Sequence, residues 1–228
     1  MSHTIDNNKK TVIIVAGGTG QRMQADIPKQ FIELKSKPIL MRSIEAFVNY
    51  NPLINIIVVL PKNQLEVWRQ LCKQHDFTIA HQMVAGGVTR FESVKNGLAH
   101  APEEGLVAVH DGVRPLVSLE TIHRCFEEAG RTGAAVPVVD VVESIRKLEG
   151  SNNVAVDRNL YKAVQTPQVF HAQILKVAYQ RHYVPTFTDD ASVVEAYGHP
   201  ISLVEGNVEN IKITTAVDLR VAELTVDK

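Results

Sequence analysis

Two rhythms of apolar residues alternate along this chain. Short runs at 11–15, 54–60, 78–84, 106–110, 134–138 and 201–204 are β-branched or bounded by turn residues, which is how strands buried on both faces read. Between them apolar side chains recur at helical spacing: Ile44, Phe47 and Val48, ended by Asn51-Pro52; Leu65, Trp68, Leu71 and Cys72; Phe91, Val94 and Leu98. Ile122, Cys125, Phe126 and Ala129 continue the series behind Ser118, the expected N-cap. Strand–helix alternation with nearly continuous apolar strands predicts an α/β fold, a Rossmann-like and mostly parallel sheet with helices on both faces. In such sheets ligands settle beyond the carboxyl ends of the strands. The residues just after each run are therefore the first candidates for chemistry.

One segment breaks the rhythm. Residues 141–164 alternate polar and apolar around Glu149-Gly150-Ser151-Asn152-Asn153, which predicts a protruding two-stranded β-arm. A lone hairpin is marginal in water, and Val142, Ile145, Leu148, Val154 and Val156 lack an obvious partner in their own sheet. Burial against a second copy, giving a homodimer, is the expectation; folding back onto its own domain is the alternative. Residues 1–10 are polar and read as a flexible tail, leaving 11–228 as a single domain with the arm inside it.

Composition narrows the function classes. Lysine and arginine number 24 against 25 acidic residues, a net charge of −1. No global field favours nucleic acid or an anionic membrane, and neither is an expected partner; any anion site must be local. No apolar run approaches transmembrane length, and residues 1–10 lack the apolar centre of a signal peptide. The two cysteines, Cys72 and Cys125, fall on helical patterns without C-x-x-C or zinc spacing, so both read as packing residues in a reducing, cytoplasmic compartment.

Local anion chemistry is where the chain is most informative. The run 11–15 leads directly into Val15-Ala16-Gly17-Gly18-Thr19-Gly20-Gln21-Arg22-Met23, with Pro28-Lys29-Gln30-Phe31 shortly after. A strand feeding a glycine-rich loop presents bare backbone N–H groups to phosphates. Arg22 and Lys29 add a planar fork and a point charge. A dinucleotide fingerprint fails because Met23 occupies the third glycine position, and no Gly-Lys pair makes a Walker loop. A second glycine turn, Gly86-Gly87-Val88-Thr89-Arg90-Phe91-Glu92-Ser93-Val94, follows the run at 78–84. His110-Asp111-Gly112-Val113-Arg114-Pro115 closes the run at 106–110. His110 itself, on an apolar strand, reads as a satisfied core histidine rather than a catalyst.

With Val156-Asp157-Arg158, Gln165-Thr166-Pro167-Gln168, Thr188-Asp189-Asp190-Ala191-Ser192 and Asn210-Ile211-Lys212-Ile213-Thr214, these motifs run almost end to end. Together they resemble the 2-C-methyl-D-erythritol 4-phosphate cytidylyltransferase family of nucleotidyltransferases, enzymes of non-mevalonate isoprenoid synthesis. Gly17 and Val113 depart from it, standing where alanine is frequent. The resemblance implies a nucleotide-diphospho-sugar transferase type of fold. It also implies transfer of a cytidylyl group from CTP to methylerythritol phosphate with release of pyrophosphate. The alternatives are a ribitol-5-phosphate cytidylyltransferase, a Rossmann oxidoreductase and a noncatalytic nucleotide-binding protein.

The chemistry suits the residues. A phosphate monoester attacking the α-phosphorus is already anionic, so charge neutralisation and alignment matter more than a strong base. The resemblance implies that Arg22 and Lys29 stabilise the transferring phosphate while Arg158 and Lys212 position the acceptor, these four being the catalytic set. Ala16, Gly17, Gly18, Thr19, Gly20, Gly86, Gly87, Arg90, Ser93, Asp111 and Gly112 are expected to bind CTP, with cytosine read by backbone groups and the Ser93 hydroxyl. Arg90 either steers nucleotide phosphates or caps a neighbouring acid. Asp111, Arg114, Arg158, Thr166, Thr188 and Lys212 are expected at the sugar-alcohol phosphate, and Thr188 doubles as a candidate N-cap. Mg²⁺, or another divalent cation, is expected to bridge the triphosphate, with Asp111 its candidate ligand. Asp111 equally suits ribose or acceptor hydroxyls.

Overall fold

The computed structural model describes residues 9–17 and 27–226. Its centre is an eight-stranded sheet in which β1 (Lys10–Val15) lies between β4 (Asn55–Leu60) and β6 (Leu106–Asp111), parallel to both. β2 (Glu33–Leu34) and β3 (Lys37–Pro38) form a small antiparallel pair of their own, β5 (Gln82–Ala85) extends the main sheet parallel to β4, and β12 (Ser202–Glu205) runs parallel to β7 (Ala134–Asp140). Antiparallel pairs come from β11 (Gln168–His171), inserted between β6 and β7, and from β10 (Lys162–Val164) on β7. The sheet is thus mixed but mostly parallel, as expected, with helices on both faces.

Alternation along the strands explains the two faces. In a strand successive side chains point oppositely. Val12 and Ile14 of β1, with Ile56, Val58 and Leu60 of β4, join one core with α1 (Ile39–Tyr50), α2 (Leu65–Gln74) and α4 (Leu119–Thr132). Ile13, Ile57 and Val59 face the other core with α3 (Arg90–Leu98), α5 (Ala172–Ala178) and α6 (Asp190–Ala196). The predicted faces fall as read: Phe47, Trp68, Cys125 and Phe126 in the first core, Phe91, Val94 and Leu98 in the second. Ser118 caps α4 as expected, accepting from Thr121 N.

Several boundaries differ from the sequence reading. The strand predicted at 78–84 occupies only Gln82–Ala85; Phe77, Ile79 and His81 pack beneath Trp68 instead, and His81 Nε2 accepts the indole N–H at 2.9 Å. The tail expected over 1–10 ends sooner, because Lys10 already belongs to β1 and the Lys9 carbonyl accepts from Leu106 N; residues 1–8 lie outside the described residues. Of the segment 141–164, only β8 (Ile145–Glu149) and β9 (Asn152–Val156) form the hairpin, a sheet of its own. Its two-residue turn has Gly150 at φ +63°, a first central position glycine tolerates. Residues 162–164 rejoin the main sheet as β10, contrary to the expected arm boundary.

One irregularity shapes the site. Val164 faces Val138 and Val169 faces Ala135, so the four residues 165–168 on one side match the two residues 136–137 on the other. The surplus bulges at Gln165-Thr166-Pro167, beside the carboxyl end of β6, and brings Thr166 to Asp111.

Candidate active site

A cleft opens at the carboxyl edge of the sheet, bounded on one side by the glycine turn after β5. Gly86 N donates to Leu60 O, the last rung of the β4–β5 ladder before the turn. Thr89 then caps α3 in a reciprocal box, its hydroxyl accepting from Glu92 N while Glu92 Oε2 accepts from Thr89 N at 3.0 Å and Val88 N at 2.7 Å. Ser93 Oγ donates to Thr89 O and accepts from Gly87 N at 3.1 Å. The hydroxyl expected to read cytosine therefore also holds the glycine turn together. A Cβ on Gly87 would sit 2.3 Å from Glu92 Cβ, so only glycine fits that close turn.

The opposite wall starts at the end of β1. Ala16 is buried with its N–H on Val59 O, and Gly17 is exposed in the cleft. Gly18, Thr19, Gly20 and Arg22 lie outside the described residues. Lys29 opens a single 3-10 turn, Lys29–Phe31, behind Pro28, and reaches the same cleft. Beside it Gln30 is fully buried; its amide donates to Gln64 and its Oε1 makes no hydrogen bond.

Between the walls sits Asp111, 7% exposed. Its Oδ2 meets Arg114 Nε and Lys212 Nζ, both at 3.1 Å, and its Oδ1 lies 3.9 Å from Arg90 Nε. Burial alone would raise the pKa of this carboxyl, but the charges of Arg90, Lys212 and Arg114 overrule it and hold it well below the usual carboxylate range. Asp111 is therefore an anion throughout the physiological range, and the cations around it are fixed in place. Beyond it a second, adjoining cavity is lined by Arg114, Thr166, Thr188 and Asp189, sharing Arg90, Asp111 and Lys212 with the first.

The loop carrying Lys212 is hung from the bulge. Asn210 Nδ2 donates to Thr166 O at 2.8 Å, Arg114 Nη1 donates to Asn210 O at 2.7 Å, and Gln165 Nε2 donates to Asn207 O. Asn207 also reaches back, donating to Leu116 O and accepting from Ser118 N. Nothing in hydrophobic periodicity marks Asn207, Gln165 or Gln30 as site-building residues. Gln30, Gln165 and Asn210 were visible only within their motifs, and Asn207 lay outside all of them.

Most of the predicted residues that are described converge here; Arg158 does not, and Thr188 and Arg90 settle between their alternative readings. Arg158 does not join Lys212: it is exposed on the 3-10 turn Arg158–Leu160, donates to Val142 O, and lines neither cavity. Thr188 is not the N-cap of α6; Asp189 is, accepting from Ser192 N at 2.9 Å, while Thr188 is exposed in the second cavity. Arg90 does cap an acid: its fork is bidentate on Asp190, at 2.9 and 2.7 Å. Among the described residues no group of three or more His, Cys, Asp or Glu side chains is placed to hold a metal.

Comparison with known proteins shows the family. The model of the family IspD, 2-C-methyl-D-erythritol 4-phosphate cytidylyltransferase, matches residues 10–228. Proteins of that name from Bacteroides thetaiotaomicron and Bacteroides fragilis are 55% and 56% identical over 213 residues, covering 93% of this chain and 97% of each relative. The crystal structure of the 2-C-methyl-D-erythritol 4-phosphate cytidylyltransferase from Thermus thermophilus is similar at TM-score 0.78 and 31% identity, over 96% of this chain and all of that one. The bifunctional IspDF of Campylobacter jejuni is similar at TM-score 0.79 and 28% identity, over 93% of this chain and 54% of its own.

Proposed function

This chain belongs to the IspD family of 2-C-methyl-D-erythritol 4-phosphate cytidylyltransferases, and we propose that the cleft around Asp111 is where its reaction takes place. The enzyme transfers a cytidylyl group from CTP to 2-C-methyl-D-erythritol 4-phosphate, giving 4-(cytidine 5′-diphospho)-2-C-methyl-D-erythritol and pyrophosphate. Ribitol 5-phosphate is the disfavoured alternative acceptor.

The observation that carries the site is Asp111 between Lys212 and Arg114 on one side and the cavity shared with Lys29 on the other. The Gly86–Gly87 turn offers cytosine a rigid backbone edge. Lys29, with Arg22 from the glycine loop, stabilises charge developing on the α-phosphate and the departing pyrophosphate. Lys212, anchored by Asp111, presents an ammonium to the acceptor phosphate, and Arg114 and Thr188 line the adjoining acceptor cavity. The attacking oxygen needs no base because it is already ionised.

Mg²⁺ would arrive on the triphosphate, with Asp111 Oδ1, the carboxylate oxygen not shared by Arg114 and Lys212, as its candidate protein ligand. Asp111 is an ionised carboxylate lining both cavities, and Mg²⁺ keeps most of its waters, needing one or two carboxylates beside phosphate oxygens. Bound there, it would neutralise triphosphate charge and align the leaving group.

The hairpin supports a homodimer. Ile145, Val154 and Val156 share one of its faces by register, and Val142, Leu148 and Leu160 around it are 74–79% exposed. A hairpin so exposed gains most from a second copy, which would carry Arg158 toward a neighbour's acceptor cavity. Described residues include no helix long and apolar enough to cross a membrane, and both cysteines are free thiols; a cytoplasmic location accords with that chemistry. The deciding assay offers CTP and Mg²⁺ with each acceptor. Pyrophosphate should be released with methylerythritol phosphate; turnover with ribitol 5-phosphate alone would overturn the assignment.

A further inference from the structure

We propose that Arg90 and Asp190 form a positioning strut that sets the acceptor half of the site, so that the arginine aligns the acceptor's ligands rather than binding nucleotide phosphate. The inference rests on the functional reading above.

Arg90 is the first residue of α3 and Asp190 the first of α6, so the pair joins two elements 100 residues apart. Asp190 is fully buried, and a buried carboxylate must be compensated on every side. Arg90 supplies two parallel N–H bonds, and Tyr179 donates its hydroxyl to Oδ1 at 2.6 Å. Tyr179 in turn stacks on Phe91, centroids 4.6 Å apart, and Phe91 also meets Phe187. The ion pair and the aromatic stack thus tie α3, the segment before α6 and α6 itself into one unit.

That unit faces the acceptor cavity. Thr188 and Asp189, which line it, immediately precede Asp190. Gln168 fixes the same turn, donating to Asp189 Oδ2 and accepting from Ala191 N. The Nε edge of Arg90, turned away from Asp190, lies 3.9 Å from the Asp111 carboxylate that holds Lys212 and Arg114. With its Nη1/Nη2 fork committed to Asp190 and its Nε edge turned to Asp111, Arg90 is anchored by two carboxylates, a setting that suits a strut better than a phosphate grip. The nucleotide turn, by contrast, is held by Thr89, Glu92 and Ser93 without help from the guanidinium. Loosening the strut should disturb the acceptor side and spare the nucleotide side.

Three variants test this: Arg90→Lys, which keeps the charge but loses the fork; Asp190→Asn; and Tyr179→Phe, which keeps the ion pair and removes one hydrogen bond. Arg90→Lys and Asp190→Asn should each raise the acceptor KM by about tenfold or more, the scale of one charged hydrogen bond, while calorimetry finds CTP affinity within about twofold of the parent. Because the two residues act as a unit, the double variant should be no worse than either single one. Tyr179→Phe should show a smaller rise of the same kind, and it reads out the strut even where the charge variants do not fold. A CTP affinity that falls in parallel with acceptor use would place Arg90 on the nucleotide and overturn the proposal. An unchanged acceptor KM in folded Tyr179→Phe and Arg90→Lys would overturn it as well. If the parent itself makes no product from CTP and methylerythritol phosphate, it is the functional reading that fails.

Discussion

His110 Nδ1 lies 3.0 Å from Thr166 Oγ1, and this contact decides what both residues are for. The other ring nitrogen, Nε2, lies 3.1 Å from the Arg114 carbonyl, which only accepts. Nε2 therefore carries the proton and Nδ1 accepts from the Thr166 hydroxyl, which itself accepts from Asp111 N at 3.1 Å. The threonine expected at the acceptor has its hydroxyl committed to holding the Asp111 backbone. The histidine, read from sequence as a core residue, fixes that hydroxyl.

A pH prediction follows from the neutral ring. His110 is fully buried; desolvation moves its pKa from the ordinary 6.5 down to about 4, even though the Asp111 charge pulls the other way. The unfolded chain therefore takes up this proton at a higher pH than the folded one. Stability is complete above 6.5 and is lost as pH falls from 6.5 toward 4, by roughly 3 kcal/mol from this group alone. Urea unfolding of the parent and of His110→Gln across that window should differ in slope, the variant being flatter. Equal slopes would mean that the imidazole is not buried in its neutral form.

Strand and helix order was legible because each core strand alternates between two apolar faces; Ile13 and Ile14 need no partner knowledge to be read as buried. The strand β11 was not: four residues behind Thr166-Pro167 carry no periodicity, and only pairing with β6 and β7 defines it. The run at 78–84 was overextended because Ile79 and His81 are drawn under Trp68 instead of into a ladder. At the site, position located Asp111, at the end of an apolar strand, and Lys29, behind a proline-set turn, whereas Lys212 was found through the family resemblance. The fork of Arg90 was beyond reach, because its choice between phosphate and Asp190 depends on a contact 100 residues away. Arg158 was assigned to the acceptor by resemblance alone, and the geometry of the single chain leaves it outside both cavities.

Backbone approach at the end of β6 gives a second prediction. Gly112 donates to Val15 O, and a Cβ there would lie 2.9 Å from Ala16 Cβ and 3.0 Å from Leu40 Cδ1. Ala16 is backbone-anchored and cannot retreat, so Gly112→Ala should destabilise the fold by about 1–3 kcal/mol, the usual range for overpacking. The shift should also move Asp111 and lower kcat/KM. Gly17→Ala is the stability control, because its Cβ meets nothing within 4 Å. Thermal unfolding of the two variants side by side checks the contrast; an unchanged midpoint for Gly112→Ala would show that β1 and β6 can part more easily than their ladder implies.

The placement of Arg158 makes the last prediction one about two chains. Lys29→Ala should depress kcat by on the order of 10²–10³ with little change in either KM, because its contact strengthens as charge develops on the transferring phosphate. Arg158→Ala should weaken acceptor use and leave CTP binding intact. Each variant alone is then nearly inactive. If the arm exchanges between protomers, a mixed dimer has one site with Lys29 from one chain and Arg158 from the other. Random pairing of the two variants should therefore recover about a quarter of the parent's active sites, as two-fold symmetry requires. Unfolding and refolding the variants together, then measuring turnover against each refolded alone, reads this directly. Recovery near a quarter places Arg158 in its neighbour's site, whereas a mixture no better than its parts means that each chain uses its own Arg158, and the hairpin then has no share in catalysis.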